Sequence, residues 1–336
     1  MKKTLLFFCK LAASGILALL LLSVFALVYY NPPVAEPQPD KYTNSKFASG
    51  VFWTDMTEGI GYGKTNNLGY NEADSFDPAQ PAIAMIGSSH TEALQVPQDK
   101  NYTAQLQQLL HAAGKTKINC LNLGQSGHFL NISVSNFEYF AEAFQSVDLK
   151  CAVIEVGNLN YTPAELEKML AGAYHSDMQE RGTLYRLAQR IPYLRLLYKQ
   201  FQDSRQKGGA ASETEPFDAQ GYYAGVDQVM KKLSGIAAEN GFPLVILYHD
   251  SIAVQGGKAS RQDDPEQLAI FKDRCTENGI LFVDVTDRFV EHFNATYELP
   301  YGFSNTTMGS GHLNELGHRI IAEELFDHVV QLTEEN

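Results

Sequence analysis

The sequence predicts a three-layer α/β domain on a mainly parallel five-stranded sheet, held behind one N-terminal apolar helix. Three observations predict it. Five short runs are apolar without alternation, as strands covered on both faces are. Helical segments with clear stop signals lie between those runs. A stretch of 18 residues near the start holds no charge at all.

That stretch, residues 11–28, reads LAASGILALLLLSVFALV. At 1.5 Å per residue it covers roughly 27 Å, about one hydrocarbon core. Tyr29 and Tyr30 follow it, where interfacial aromatics belong. Lys2, Lys3 and Lys10 precede it, and the next basic residue is Lys41. The positive-inside rule then keeps the short N-terminus in the cytoplasm and sends everything after residue 30 across the membrane, to the periplasmic or extracellular side. A cleaved signal peptide has the same charged start, yet no A-x-A site follows: Ala35 is paired with Pro33. The expectation is an uncleaved, single-pass anchor over residues 1–30. Residues 31–45, NPPVAEPQPDKYTNS, read as a stiff Pro-rich tether, and residues 46–336 as the domain.

The strand-type runs are 82–86 (AIAMI), 118–123 (INCLNL), 152–156 (AVIEV), 244–248 (LVILY) and 280–285 (ILFVDV). Helices are expected over 102–113, 223–240 and 265–278, each stopped by a following Gly, and over 315–332. Strand–helix alternation with short connections argues for a parallel sheet between two helical layers. Residues 164–221 break the rhythm with a basic amphipathic helix at 184–201 and a polar run. They read as an inserted helical cap with a loop. The alternative is a helix lying on the membrane surface, or docking an envelope-assembly partner.

Composition narrows the function. The 26 Lys+Arg against 39 Asp+Glu give −13, with no basic stretch of useful length beyond the first ten residues, which argues against nucleic-acid binding. Neither CxxC nor an HExxH-type spacing occurs among the four Cys and nine His, so no metal and no cofactor are expected. His90, His128, His249 and His318 with Asp250 read instead as supporting or solvated groups. Cys120 and Cys151 lie in strand-like runs and read as buried free thiols. Five N-x-S/T triplets (Asn101, Asn131, Asn160, Asn294, Asn305) read as chance occurrences.

Four segments hold the chemistry. In IGSSHTEALQV, residues 86–96, Gly87 turns the chain sharply as the first strand ends, and Ser88 and Ser89 open a turn or helix at the sheet's carboxyl edge. NLGQSGH, residues 122–128, brings Gly124 and Gly127 backbone N–H groups to the same edge. EVGNLN, residues 155–160, brings the Asn158 and Asn160 amides. GSGHLNELGH, residues 309–318, places His312 just before the closing helix. Each alone is an ordinary cap or turn. Together they supply a nucleophile, a base and donors for an oxyanion, which is what acyl transfer requires. An α/β-hydrolase elbow is disfavoured, because Gly124-Gln125-Ser126-Gly127-His128 lacks the final Gly of G-x-S-x-G.

With these four blocks in this order, the sequence resembles the SGNH hydrolases, also called GDSL esterases. Gly87-Ser88-Ser89 with Thr91-Glu92 is similar to their first block, Asn122–Gly127 to the second, Gly157-Asn158-Leu159 to the third and Gly311-His312-Leu313-Asn314 to the last. The run from His312 to His318 is especially like membrane-anchored and polysaccharide-modifying members. The resemblance spans roughly residues 66–332. It implies a flavodoxin-like sheet, Ser89 as nucleophile, His312 as base, and the Gly127 N–H and Asn158 amide as oxyanion donors. It also implies acyl esters as substrates, O-acetyl groups of a small molecule or a polysaccharide among them, with water or a sugar hydroxyl as acceptor. Three positions depart from the pattern. Ser88 replaces the first block's Asp, and Leu159 the Asp after Asn158, so Asn160 is an alternative donor. The triad acid, normally two or three residues before the His, is missing at Ser310 and Gly309. A main-chain carbonyl or a distant acid such as Glu315 would then orient His312. Without one, the chain is a silent carbohydrate-binding or assembly protein.

Overall fold

The computed structural model describes residues 2–36, 46–174, 191–206 and 217–333. The tether's residues 37–45, and residues 175–190 and 207–216 of the expected insert, lie outside the described residues.

Five parallel strands form the central sheet: β1 (Ala82–Ile86), β2 (Asn119–Asn122), β3 (Leu149–Val156), β4 (Leu244–Tyr248) and β5 (Leu281–Asp284). Their order across the sheet is β2-β1-β3-β4-β5, and every pairing is parallel. The sheet is therefore flavodoxin-like, with its topological switch beside β1, where such folds bind ligands outside the carboxyl ends of the strands.

Alternate side chains go to two cores. Ala82, Ala84, Ile86, Ile154 and Ile246 face one side with Phe137, Phe140, Leu166, Met230 and Phe271. Ile83, Met85, Val153, Val245 and Leu247 face the other with Leu106, Phe289, Ile321 and Leu325. The first layer is α4 (Leu130–Ala143), α5 (Pro163–Leu170), α7 (Ala219–Glu239) and α8 (Pro265–Glu277). The second is α3 (Tyr102–Ala112), α9 (Thr286–Thr296) and α10 (Glu315–Leu332). Burying one such Leu or Phe contributes about 1.5–3 kcal/mol, so the continuous apolar runs explain why these segments are strands at the centre.

Local signals set the helix ends. Asn101 and Asp264 cap α3 and α8 by accepting backbone N–H groups, and Thr162 with Glu165 forms a capping box on α5. Helix α5 belongs to the core layer: Leu166 and Met169 are fully buried and it packs on α4 and α7. The irregular segment is thus shorter than the expected insert at 164–221, because Leu166 and Met169 complete the core under α7.

Ahead of the sheet, helix α1 spans Lys2–Tyr29 and is long and apolar enough to cross a membrane. The residues after it differ from a free tether. Tyr30–Asn31 pairs antiparallel with Phe52–Asp55, which forms a hairpin with Gly61–Lys64, and Ala35–Glu36 pairs with Lys46–Phe47. Helix α6 (Pro192–Gln206) packs on α1 and on Tyr30–Asn31. Arg195 reaches from α6 to the Pro32 carbonyl (3.0 Å) and the Asn31 side chain (2.8 Å). The structure therefore seats the part of 184–201 that it describes against the end of α1.

Candidate active site

The first block folds as expected from its residues. β1 ends at Ile86, and the short helix α2 (Ser89–Glu92) starts with Ser88 as N-cap, its Oγ accepting the His90 N–H at 3.3 Å. Ser89 thereby stands as the first helical residue, half-buried, beyond the carboxyl end of β1. At the other end of the chain, Asn314 caps α10 through the Leu316 and Gly317 N–H groups, both 3.1 Å. Its amide also donates to the Leu299 (2.7 Å) and Gly302 (3.1 Å) carbonyls. These bonds fix the loop two residues upstream and aim His312 at β1.

His312 Nε2 lies 2.9 Å from Ser89 Oγ. The two residues are 223 positions apart in sequence and meet over the shared edge. His312 Nδ1 lies 2.7 Å from Glu58 Oε2, and Glu58 Oε1 accepts the His312 backbone N–H at 2.9 Å. Neither Glu315 nor a main-chain carbonyl orients the imidazole; Glu58 does. With Nδ1–H donated to a carboxylate, Nε2 is left with its lone pair toward the Ser89 hydroxyl. Burial raises the Glu58 pKa, but the hydrogen bonds from His312 and its charge outweigh that and hold the carboxyl below its ordinary value.

Glu58 sits in the turn between Phe52–Asp55 and Gly61–Lys64. Asp55 opens that turn by accepting the Thr57 N–H (2.9 Å) and hydroxyl (2.6 Å). Asn305 clasps it, accepting the Gly59 N–H at 2.9 Å and donating to the Met56 and Gly59 carbonyls. Two glycines make room. A Cβ on Gly311 would stand 2.4 Å from Glu58 Oε1, and one on Gly59 would meet the Gln95 carbonyl at 2.2 Å; both have φ above +70°. Glu58 escaped the sequence reading because it lies outside the span of the resemblance. The one available signal was the empty acid position itself, which requires a carboxylate from elsewhere, and 39 acidic side chains are too many to choose among.

The other two expected residues come to the same edge on the flanking strands: Gly127 after β2 and Asn158 after β3, which are the neighbours of β1. Asn158 Oδ1 accepts the Asn160 N–H at 3.1 Å, which leaves the Asn158 NH2 to donate elsewhere. Asn160 is exposed. The Gly127 loop is tied to α2 by Glu92, which accepts the Ser126 N–H at 3.1 Å and bonds its hydroxyl. Burial pushes the Glu92 carboxyl up to about 7 despite those bonds. An acid raised in the folded state stabilises fully below its unfolded value and loses that contribution as pH rises through the folded one. Glu92→Gln is accordingly expected to be less stable than the parent at pH 5 and to close or reverse that gap by pH 8, read as melting temperatures. A gap independent of pH would show that Glu92 is ionised throughout.

Beneath Ser89 is a buried polar cluster that spacing alone did not reveal. Glu155, at the end of β3, accepts the Ser88 N–H (2.7 Å) and hydroxyl (2.8 Å) and meets His249 Nε2 at 3.2 Å. His249 Nδ1 lies 2.7 Å from the Tyr301 hydroxyl. His90 packs between His249 and His312, with ring centroids 5.0 and 5.3 Å away, and burial holds it neutral to about pH 3. His318 is buried, and its Nδ1 accepts the Tyr102 N–H at 3.3 Å. Among the described residues no group of three or more His, Cys, Asp or Glu is arranged to hold a metal ion. Cys120, Cys151 and Cys275 are buried free thiols. A groove of about 880 Å³ is walled by Gly59, Ile60, Val96, Phe303 and Met308 but by none of Ser89, His312 and Glu58. The site is therefore identified by its hydrogen bonds and not by volume.

No protein-family model and no curated protein matches the sequence. Solved structures are similar at low identity. LAE5, an alpha/beta hydrolase enzyme from the metagenome of Lake Arreo, Spain, is 12% identical with a TM-score of 0.42, over 76% of this chain and 98% of that one. A catalytic mutant of Axe2, an acetylxylan esterase from Geobacillus stearothermophilus, is 16% identical with a TM-score of 0.41, over 75% and 94%. A two-domain esterase active on acetylated mannans is 11% identical with a TM-score of 0.43, over 76% of this chain and 51% of that one.

Proposed function

We propose that the chain is a membrane-anchored acyl-ester hydrolase working through a covalent acyl-Ser89 intermediate. The observation that supports it most is the unbroken line of hydrogen bonds Ser89–His312–Glu58, with separations of 2.9 and 2.7 Å. Ser89 Oγ attacks the ester carbonyl as His312 Nε2 takes its proton. Glu58 holds the imidazole in the required tautomer and stabilises the imidazolium without taking the proton. The oxyanion is held by the Ser89 and Gly127 backbone N–H groups and the Asn158 amide, each such donor contributing about 2.7–4 kcal/mol in the transition state. His312 returns its proton to the departing alcohol. Water, activated by the same base, then cleaves the acyl-enzyme. Helix α1 is the anchor, with the N-terminus cytoplasmic and the domain on the far side of the membrane. O-acetyl or similar acyl groups on carbohydrate are the substrates, as the SGNH resemblance implies.

A fluorophosphonate probe tests this directly, because it reacts only with a hydroxyl activated by its base. The parent chain is expected to label at Ser89, with labelling lost in Ser89→Ala and in His312→Ala. Labelling that survives Ser89→Ala would place the nucleophile elsewhere, and a parent chain that never labels would leave a silent binding protein.

A further inference from the structure

The way α1 joins the site says where the reaction takes place. Leaving α1, Tyr30 and Asn31 pair antiparallel with Asp55 and Thr54. The strand from Phe52 to Asp55 therefore runs back toward α1. Thr54 Oγ donates to the Leu27 carbonyl at 3.0 Å, and the Met56 N–H donates to the Tyr29 carbonyl at 2.9 Å. The turn that follows, holding Glu58, is thus level with the last turn of α1. Three residues at about 3.4 Å each bound the distance from Asp55 to Glu58 at roughly 10 Å. The polar layer on each side of a bilayer is about 5–8 Å deep.

The surface around that level is apolar and exposed. Ile60 follows the turn at 61% exposure, and Tyr62, opposite Thr54, is at 52%. On α6, which packs against α1, Leu197 and Phe201 lie four residues apart on one helical face at 55% and 53%. Lys199 on the same helix lies over the Tyr30 ring, 5.8 Å from its centroid. Exposed aromatics and aliphatics beside a cation suit an interface between hydrocarbon and water.

We propose that the rim formed by Ile60, Tyr62, Leu197 and Phe201 rests on the lipid surface from which α1 emerges, so that the Ser89–His312–Glu58 array works at the bilayer's polar layer on an acyl ester presented there. The occupant is the lipid surface because α6, which carries Leu197 and Phe201, packs on α1, the hairpin that carries Tyr62 pairs with the segment leaving α1, and Val24, Leu27 and Val28 of α1 are themselves exposed. The proposal rests on reading α1 as an anchor, and it adds a second contact between domain and membrane that an anchor on a loose tether would lack.

Depth-dependent quenching tests it on the full chain in phosphatidylcholine nanodiscs, with Cys9→Ser removing the exposed thiol. An environment-sensitive fluorophore is placed at Ile60→Cys, Phe201→Cys or, as control, Glu239→Cys, at the opposite edge of the sheet. Lipids with a headgroup spin label are expected to quench the first two several-fold more than the control. Equal quenching at all three would overturn the proposal while leaving Ser89 labelling, and so the esterase reading, untouched. A second measurement uses Leu197→Glu combined with Phe201→Glu, neither of which touches the catalytic groups. Turnover of an acetyl ester borne on a vesicle lipid is expected to fall tenfold or more, with turnover of a soluble acetyl ester unchanged. Parallel losses on both substrates would also refute it.

Discussion

Glu58→Gln is expected to lower kcat/KM for a small acyl ester about 10⁴-fold while leaving the fold and Ser89 in place. Glu58 makes two bonds to one residue: Oε2 to His312 Nδ1 and Oε1 to the His312 backbone N–H. Glutamine has one acceptor for those two donors. If its carbonyl keeps the backbone N–H, its NH2 faces Nδ1 and forces the proton onto Nε2, where it points at Ser89 and blocks proton transfer. A wrong-tautomer substitution of this kind costs about 10⁴ in a serine protease, equivalent to about 5.4 kcal/mol of transition-state stabilisation. Glu58→Asp keeps the charge but withdraws it by one methylene, so a smaller loss is expected. Steady-state kinetics on a soluble acetyl ester decide the matter. A Glu58→Gln chain within tenfold of the parent would mean that solvent orients His312 well enough, and Glu58 would then be a structural partner only.

The contrast between Ser89 and Glu58 shows what a sequence makes legible. β1, β4 and α10 are found where apolar runs and cap residues put them, because burial on both faces of a parallel sheet leaves a local signature. Ser89 and His312 were legible for a related reason. Each lies in a segment whose Gly, Asn and Ser residues do visible local work, Asn314 capping α10 being the clearest case. Glu58 has no such context. It is placed by the short hairpin of Phe52–Asp55 with Gly61–Lys64, by Asn305, which bonds Gly59 from 246 positions away, and by pairing with the strand after α1. Pairing across that separation leaves nothing periodic to read. Helix α4 was missed for the opposite reason: its Asn, Ser and β-branched residues disfavour a helix, and the burial of Val134, Phe137 and Phe140 against the sheet overrides them. The residues read as a tether follow the same rule, since Pro and polar content describes 31–36 correctly as non-helical but cannot show a strand partner near residue 50.

Loss of Glu155 is expected to be strongly destabilising, because Glu155→Ala leaves the buried donors around it without an acceptor, at about 1–3 kcal/mol for each one left unsatisfied. Its carboxylate is almost fully buried and takes the Ser88 N–H, the Ser88 hydroxyl and the Thr91 hydroxyl on Oε2, with His249 on Oε1. Burial alone would raise its pKa; the hydrogen bonds with His249 and the Ser88 N–H outweigh that and hold it below the ordinary range. A carboxylate lowered in the folded state stabilises above its unfolded value, near 4.5, and that contribution is lost as pH falls toward the folded one. The parent is therefore expected to lose stability on acidification below about 4.5 more steeply than Glu155→Ala, measured by urea unfolding across pH. The same carboxylate suits a hydroxyl at position 88, since the Ser88 Oγ donates to it at 2.8 Å. A second acid there would stand within hydrogen-bond distance of Glu155 Oε2, and two carboxylates in one buried site cannot both ionise. Ser88→Asp is accordingly expected to destabilise the fold at pH 7, and Ser88→Asp combined with Glu155→Gln to recover part of that loss. If the double variant were no more stable than Ser88→Asp alone, the two positions would not be sharing one charge.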